Sequence, residues 1–297
     1  MTSTTTAAET LETSQRPGAP PSVGWRLSVA AGMAAAVAAV PTFFIDGILT
    51  GPPAMNGSAR GTALVVLVVA LPTLVLALGA SARGSVRARV VWLGALSYLL
   101  YNAVLFLFAT PFNRLFLLYL AMLSLALWSI VTVVASTDVT ALAAAVAPRL
   151  PTRAIAGYVW IIAAVNALAW LAAIRPALTA ERPGSFLDGT GMTTNPIHVQ
   201  DLAIWLPLAA VGAAWLWGQR PAGTLVTGTV LSLWVIESLS IAVDQWFGHQ
   251  ADPAASFVSA SLVVPFVVAA VVGLVPLWFF LRPAAAHAVP DRRARTS

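Results

Sequence analysis

Eight long apolar stretches alternate with short polar segments along the chain, and this pattern predicts its architecture. Each stretch comes close to the roughly 20 residues that an α-helix needs to cross a bilayer. The stretches are 26–45, 62–81, 90–109, 115–135, 154–174, 199–217, 223–246 and 258–281. We therefore predict an all-α membrane bundle of eight transmembrane helices, with the lipid bilayer as its main contact. The longest predicted loop, 175–197, contains Asn195 and Pro196, a typical helix cap and first helical residue.

The stretch 223–246 differs from the others because it contains two acidic residues, Glu237 and Asp244. Their spacing places them on one helical face, with Ser240 between them and Trp234 one turn before. A charged side chain at the bilayer centre costs about 3 kcal/mol on insertion scales, so it is kept where it faces a partner, a cavity or a substrate. A structural hydrogen bond or ion pair would also explain Glu237. We favour a functional group, because no other charged residue lies at its depth.

Composition agrees with a membrane protein and excludes several chemistries. The chain is 59% hydrophobic and 9% charged, and its mean hydropathy is +0.85. All sixteen basic residues are arginine, which excludes lysine nucleophiles and Schiff bases. The sequence has no cysteine, which excludes thiol catalysis, disulfides and thiolate metal sites. Most arginines lie beside apolar stretches, so the net charge of +5 indicates topology and not a nucleic-acid partner.

The arginines also predict an orientation. Twelve of them fall on one side of the predicted bundle and four on the other, which places both termini in the cytoplasm of a multi-pass cell-membrane protein. We interpret 1–24 as a disordered cytoplasmic tail, 25–282 as the transmembrane domain and 283–297 as a basic cytoplasmic tail. A cleaved signal peptide ending near 38–40 is the alternative, but the apolar run continues past that point.

Under this topology the strongly polar residues of the spans belong to the outer half of the bundle. His198, Asp201 and Trp205 share one helical face, and Tyr98, Tyr101 and Asn102 share another. We predict an acidic, tryptophan-lined pocket at this end. Its catalytic candidates are Glu237, Asp244 and Asp201. Its substrate-binding candidates are Trp234, Trp205, Tyr98, Tyr101, Asn102, His198, Asp46 and Arg114.

Nine of the eleven tryptophans fall into two predicted groups. Those near span ends are typical of the membrane interface, and they are Trp25, Trp92, Trp217, Trp246 and Trp278. Four others would line the cavity beside the carboxylates, and they are Trp128, Trp170, Trp205 and Trp234. Ordinary helix packing explains each member of the second group at least as well.

Simpler explanations apply to several candidates. Arg114 can pair with Asp46, Asp201 or Asp244, and the sequence leaves this choice open. Asp201 lies in the first turns of its span, where the helix dipole favours a carboxylate without any chemistry. His198 and His249 are metal-ligand types, but their spacing matches no metal motif. We expect neither a metal nor a cofactor, and no nucleotide-binding, hydrolase or aspartate-rich motif is present.

A carboxylic acid in a low-dielectric cavity has its charged form disfavoured, so it can act as a strong general acid. Aromatic faces around it can stabilise a carbocation. Glu237 or Asp244 as the proton donor would suit protonation of an olefin or epoxide in a prenyl chain. The stabilising wall would consist of Trp234, Trp205 and Tyr98 or Tyr101.

In size, all-helical architecture and the stripe of Trp234, Glu237 and Asp244, the chain resembles the integral-membrane terpene cyclases. Those small multi-helix proteins are thought to use scattered membrane carboxylates in place of the aspartate-rich motifs of soluble cyclases. The resemblance implies a hydrophobic, isoprenoid-like substrate that enters from the lipid and is cyclised through a carbocation.

Two other classes of function remain open. A transporter would carry a proton or cation on Glu237 and Asp244, with His198 and Asp201 as its outer gate. The absence of a proline in 223–246, of a visible inverted repeat and of a polar trail through the inner half disfavours it. A sensor or assembly protein would need no chemistry at all. A transporter should have water-accessible polar groups at both ends, whereas an enzyme for a lipid-like substrate needs one closed pocket with a lateral opening.

Overall fold

The computed structural model describes residues 22–146 and 150–282. Eight helices in these ranges are long and apolar enough to cross a membrane, which confirms the predicted fold class. A short helix, not predicted from the sequence, lies between the fourth and fifth of them. In chain order the helices are α1 Val23–Phe44, α2 Pro53–Ala82, α3 Ala88–Phe108, α4 Phe116–Ala135, α5 Val139–Val146, α6 Thr152–Thr179, α7 Pro196–Trp217, α8 Pro221–Ala251 and α9 Ala260–Leu281.

Three spans are longer than the hydropathy pattern predicts. α2 begins at Pro53 instead of residue 62, and α6 and α8 each extend five residues beyond their predicted ends. The added turns of α2 and α8 contain polar residues and glycine, which lower local hydropathy but form helix where these two helices pack against each other. The added turn of α6 is mostly exposed. α7 begins as predicted, with the Asn195 side chain accepting a hydrogen bond from the Ile197 amide and Pro196 at the first position.

The ends of the chain lie largely outside the described residues. The predicted tail 1–24 is described only from Ser22, whose side chain caps α1 by accepting a hydrogen bond from the Trp25 amide at 3.2 Å. α1 therefore begins at Val23, within the segment that was assigned to the tail. The predicted tail 283–297 lies wholly outside the described residues.

Successive spans alternate in direction, so their connections gather at two ends. Pro111 packs against Gly51 and Gly191 packs against Pro52, which brings three connections together at the predicted outer end. At the other end the Arg87 guanidinium donates a hydrogen bond to the Ala145 carbonyl at 2.7 Å. Which end faces the cytoplasm stays a prediction from the arginines.

α8 lies at the centre of the bundle and packs against α2, α3, α5, α7 and α9. α3 runs parallel to it and is the most buried of the eight spans. The two helices approach closely where Gly94 of α3 lies against Ser232 of α8. The acidic residues of α8 are therefore carried by the helix with the most neighbours in the fold.

α2 crosses α8 at a small-residue motif, Gly57 and Gly61. A Cβ added at Gly57 would lie 2.5 Å from the Phe247 carbonyl oxygen, and one added at Gly61 would lie 2.8 Å from the Asp244 Cα. Between them, the Ser58 hydroxyl donates a hydrogen bond to the Asp244 carbonyl oxygen at 3.2 Å. Close backbone approach at small residues is a common packing mode in membranes, and here it fixes the position of Asp244.

α2 and α7 each contain a π-helical turn directly before a Leu-Pro pair. The turns are Val66–Ala70 and Asp201–Trp205, followed by Pro72 and Pro207. Proline lacks an amide hydrogen and its ring clashes with the carbonyl one turn earlier, so the helix widens at that point. The turn in α7 begins at Asp201, and this candidate carboxylate therefore lies on a local irregularity of its helix.

Candidate functional site

Four helices bring polar side chains together in the predicted outer half of the bundle. We call this group the acidic cluster. Its members are Tyr98, Tyr101 and Asn102 from α3, Trp170 from α6, Asp201 from α7, and Glu237, Ser240 and Asp244 from α8. The sequence placed these residues on separate helical faces, and the packing of α3, α7 and α8 joins those faces.

Glu237 is held by an amide. The Asn102 side-chain nitrogen donates to Glu237 Oε2 at 3.1 Å and to the Tyr98 carbonyl oxygen at 3.0 Å. Asn102 is only 1% exposed, whereas Glu237 is half-buried. Because both partners of the nitrogen are acceptors, the orientation of the amide is determined. Its oxygen, Asn102 Oδ1, is buried and has no hydrogen-bond partner.

Asp244 lies beyond Ser240 on the same helix. The Ser240 hydroxyl is 2.9 Å from the hydroxyl of the fully buried Tyr98, which links α8 to α3 a second time. Asp244 Oδ1 is buried without a hydrogen-bond partner. The carboxyl groups of Asp244 and Glu237 are close enough for their charges to interact.

Asp201 joins the cluster from α7. The Trp170 indole nitrogen donates a hydrogen bond to Asp201 Oδ2 at 2.8 Å, and the Tyr101 hydroxyl also interacts with this carboxylate. Asp201 is 8% exposed, and its charge interacts with that of Glu237. The sequence marked Trp170 only as a cavity-lining candidate. No sequence pattern indicated that Trp170 donates a hydrogen bond to Asp201.

Aromatic rings surround one side of the acidic cluster. The rings of Tyr101 and Trp205 lie 6.2 Å apart between centroids. His198 lies against Trp170 at 4.6 Å and Phe186 at 5.4 Å. Gln200, which the sequence analysis did not select, is buried and accepts a hydrogen bond from the Trp205 indole at 3.4 Å. No sequence pattern distinguished this glutamine from an ordinary polar residue at a helix start.

Two substrate-binding candidates, Asp46 and Arg114, are exposed and lie away from the acidic cluster. The Asp46 side chain is 88% exposed and pairs with Arg60 Nη1 at 2.9 Å, so it is not the partner of Arg114. Arg114 itself is exposed in the turn before α4. The hydropathy pattern does not predict an Arg60–Asp46 pair, because it places the start of α2 after Arg60. In the structure α2 begins at Pro53, and its first turns bring Arg60 close to the end of α1.

The tryptophans follow the predicted groups only in part. Trp128 is 56% exposed on α4 and lines no interior cavity, and Trp234 is half-buried and packs against the apolar core. Trp92, expected at the interface, is 3% exposed and donates a hydrogen bond from its indole to the Ser28 hydroxyl at 2.9 Å. Its buried donor finds a partner in α1, and this contact explains why a span-end tryptophan lies inside.

The acidic cluster combines three carboxyl groups with neutral hydrogen-bond donors. In the described ranges, ion pairs join Arg60 to Asp46 and Arg182 to Asp188, and both pairs lie outside the cluster. Within the same ranges, no three His, Cys, Asp or Glu side chains converge as metal ligands would. The cluster can therefore exchange protons, or accept hydrogen bonds from a ligand that carries donors.

Two surface grooves lie away from the acidic cluster. One is at the opposite end, between α2 and α3, and includes Thr73 and Arg87. The other runs along α9 from Leu274 to Leu281. A closed substrate pocket beside Glu237 stays a prediction from the sequence.

Comparisons with known proteins found no relative of this chain. No family model, no curated protein and no solved structure matches the chain. The functional interpretation of the acidic cluster therefore rests on the residues themselves.

Proposed function

We propose that this protein is a membrane enzyme that protonates and cyclises a hydrophobic, isoprenoid-like substrate at the acidic cluster. The observation that carries the proposal is the placement of Glu237, which lies inside the bundle with the neutral Asn102 amide as its hydrogen-bond donor. A carboxylic acid without a cationic partner can deliver its proton to a bound carbon atom. Apolar helices on all sides suit a substrate that arrives through the lipid.

The reaction uses Glu237 as the acid and one of the other two carboxyl groups as the base. The O–H bond of Glu237 breaks as a C–H bond forms at a terminal double bond of the substrate, which leaves a carbocation. A second double bond attacks this cation and closes a ring. Loss of a proton to the carboxylate of Asp201 or Asp244 then gives a cyclic isomer of the substrate, so that protons and charge balance.

The aromatic residues fit the charged intermediate. Tyr101 and Trp205 lie together beside Asp201, and the faces of such rings attract cations. Trp170 holds Asp201 through its indole nitrogen at 2.8 Å. This bond fixes the orientation of the carboxylate that would accept the proton.

The distribution of polar groups favours an enzyme over a transporter. In the inner half of α8 the described polar side chains are small hydroxyls such as Thr227 and Ser232, and Ser232 bonds back to the Gly228 carbonyl at 2.9 Å. The acidic residues of the spans all belong to the predicted outer half. A proton or cation path would need ionisable or hydrated groups through both halves.

Transport is the second candidate, and one observation favours it. The π-helical turn at Asp201–Trp205 interrupts α7 at an acidic residue, and transporters often build ion sites at interrupted helices. A proton-coupled carrier with Asp201 and Glu237 as its titrating groups would use the same cluster.

The enzyme proposal is tested by expressing the wild type, Glu237→Gln and Glu181→Gln in a host that supplies prenyl alcohols and polyprenes. Glu181 is exposed in the loop before α7, so it provides the same substitution outside the cluster. Mass spectrometry of the lipid extracts should show an isomer with a new retention time for the wild type and Glu181→Gln only. Identical extracts from all three, at equal amounts of protein in the membrane, would contradict the proposal.

A further inference from the structure

The acidic cluster contains buried acceptors that no donor satisfies. Asn102 Oδ1 and Asp244 Oδ1 are buried without hydrogen-bond partners. The Asn102 amide cannot turn over to offer its nitrogen instead, because that nitrogen already donates to Glu237 and to the Tyr98 carbonyl. Buried polar atoms are nearly always paired in folded proteins, so two unpaired acceptors in one cluster favour a ligand that carries hydrogen-bond donors.

The charges of the cluster indicate what kind of donor it is. Glu237 interacts electrostatically with both Asp201 and Asp244. The ion pairs formed by described residues lie elsewhere, at Asp46 and Asp188. A positively charged donor would satisfy the free oxygens and offset the carboxylate charge at the same time. An anionic head group such as a diphosphate would instead be repelled.

The rings beside the carboxylates favour an organic cation. Tyr101 and Trp205 form a pair next to Asp201, and Trp170 bonds to the same carboxylate. Aromatic faces bind ammonium groups well. Nowhere in the described ranges do three His, Cys, Asp or Glu side chains converge as a divalent metal would need.

We infer that the acidic cluster binds the protonated amino group of a hydrophobic amine. The ammonium donates to Asn102 Oδ1 and Asp244 Oδ1 and faces the carboxyl group of Glu237, while its chain lies among the apolar helices. This inference rests on the proposed function, in which the ammonium takes the place of the carbocation. Amine binding can nevertheless be measured without turnover.

The test uses the full-length protein purified in detergent. Thermal unfolding is followed while a prenyl-chain primary amine, the matching prenyl alcohol, or sodium chloride is added. The amine should raise the midpoint of unfolding in a saturable way, and the alcohol and the salt should not. Glu237→Gln and Asp244→Asn should each weaken amine binding by roughly tenfold or more, because each loses a charge-assisted contact.

Glu181→Gln is the matched control and should bind the amine as the wild type does. Asp244→Asn keeps the size of the side chain, so it still tests the inference if Glu237→Gln prevents folding. Equal stabilisation by the alcohol, stabilisation by sodium alone, or unchanged amine affinity in both cluster variants would overturn the inference.

The outcome separates this inference from the proposed function. Amine binding without any cyclised product would support the cationic site and contradict the cyclase. A cyclised product that depends on Glu237, with no specific amine binding, would overturn the cationic site and leave the cyclase in place.

Discussion

Asn102 on α3 donates a hydrogen bond of 3.1 Å to Glu237 on α8, and this contact joins the most buried span to the helix at the centre of the bundle. The donor is neutral and almost fully buried. The bond therefore holds the carboxyl group in place without neutralising it as an arginine would. The proposed acid chemistry depends on this arrangement.

Replacing Asn102 by leucine should destabilise the protein and abolish product formation. The change removes the donor to Glu237 and leaves a half-buried carboxyl group unsatisfied, a loss of about 1–3 kcal/mol. Thermal unfolding in detergent measures the stability, and lipid analysis measures the product. Ser129→Ala is the control, because Ser129 is buried but bonds only to the Leu125 carbonyl of its own helix. A stable, active Asn102→Leu protein would refute the assigned function of this residue.

Trp170→Phe should reduce activity several-fold or more while it keeps an aromatic ring next to His198. The substitution shortens the ring system and removes the indole nitrogen that donates to Asp201 Oδ2 at 2.8 Å, a charge-assisted hydrogen bond of about 1.5–3 kcal/mol. Trp128→Phe makes the same change on the exposed face of α4 and should have no effect. Equal rates for both variants would show that Asp201 does not need this donor.

The α2–α8 crossing predicts a sharp difference between two glycine substitutions. Gly57→Ala would place a Cβ 2.5 Å from the Phe247 carbonyl oxygen, which the backbone can relieve only by moving apart. We expect a destabilisation of about 1–3 kcal/mol, as for other overpacked sites. Gly157→Ala in α6 meets nothing within 4 Å and should be neutral or slightly stabilising. Unfolding midpoints that do not differ between the two would contradict the close crossing.

The exposed ion pair should contribute little to stability. Asp46→Asn removes the partner of Arg60 in a setting where the Asp46 side chain is 88% exposed, and such pairs typically contribute below 1 kcal/mol. Product formation should also be unchanged, because Asp46 lies outside the acidic cluster. A large loss of activity in Asp46→Asn would contradict this and show that Asp46 contributes to the site.

The orientation predicted from the arginines can be tested with single cysteines, since the chain has none of its own. Ser256 in the loop before α9 and Ser85 in the loop before α3 are both exposed and lie at opposite ends. A membrane-impermeant maleimide added to intact cells should label Ser256→Cys and not Ser85→Cys. The reverse pattern would invert the assigned topology and place the acidic cluster on the cytoplasmic side.

Hydropathy predicts the eight spans because each is an apolar run of membrane length, but it misses features that depend on packing. The first turns of α2 contain Asn56, Ser58 and Arg60, which no apolar pattern marks as helical. They form helix because glycines there let α2 lie directly on α8. The short helix α5 and the π-helical turns were missed for the same reason, since they arise from local fit and from proline geometry.

The candidate site was predictable in its residue types and only partly in its pairs. A carboxylate inside a transmembrane span is rare and costly, so the sequence alone predicts Glu237 and Asp244 as candidate site residues. Helical spacing adds Asp201 as a candidate. Which side chain meets which depends on the rotation and depth of each helix. A hydropathy profile does not contain that information. Only the folded structure shows the Asn102–Glu237 and Trp170–Asp201 hydrogen bonds and the Arg60–Asp46 ion pair.

Deuterium incorporation tests most directly whether Glu237 delivers the proton that starts the reaction. Purified wild type, Glu237→Gln and Glu181→Gln would be incubated in heavy water with an unsaturated prenyl substrate, and the products analysed by mass spectrometry. The account predicts a cyclic isomer carrying one deuterium from solvent in the wild type and in Glu181→Gln, and no product in Glu237→Gln. A labelled product in Glu237→Gln, or an unlabelled isomer in the wild type, would contradict it.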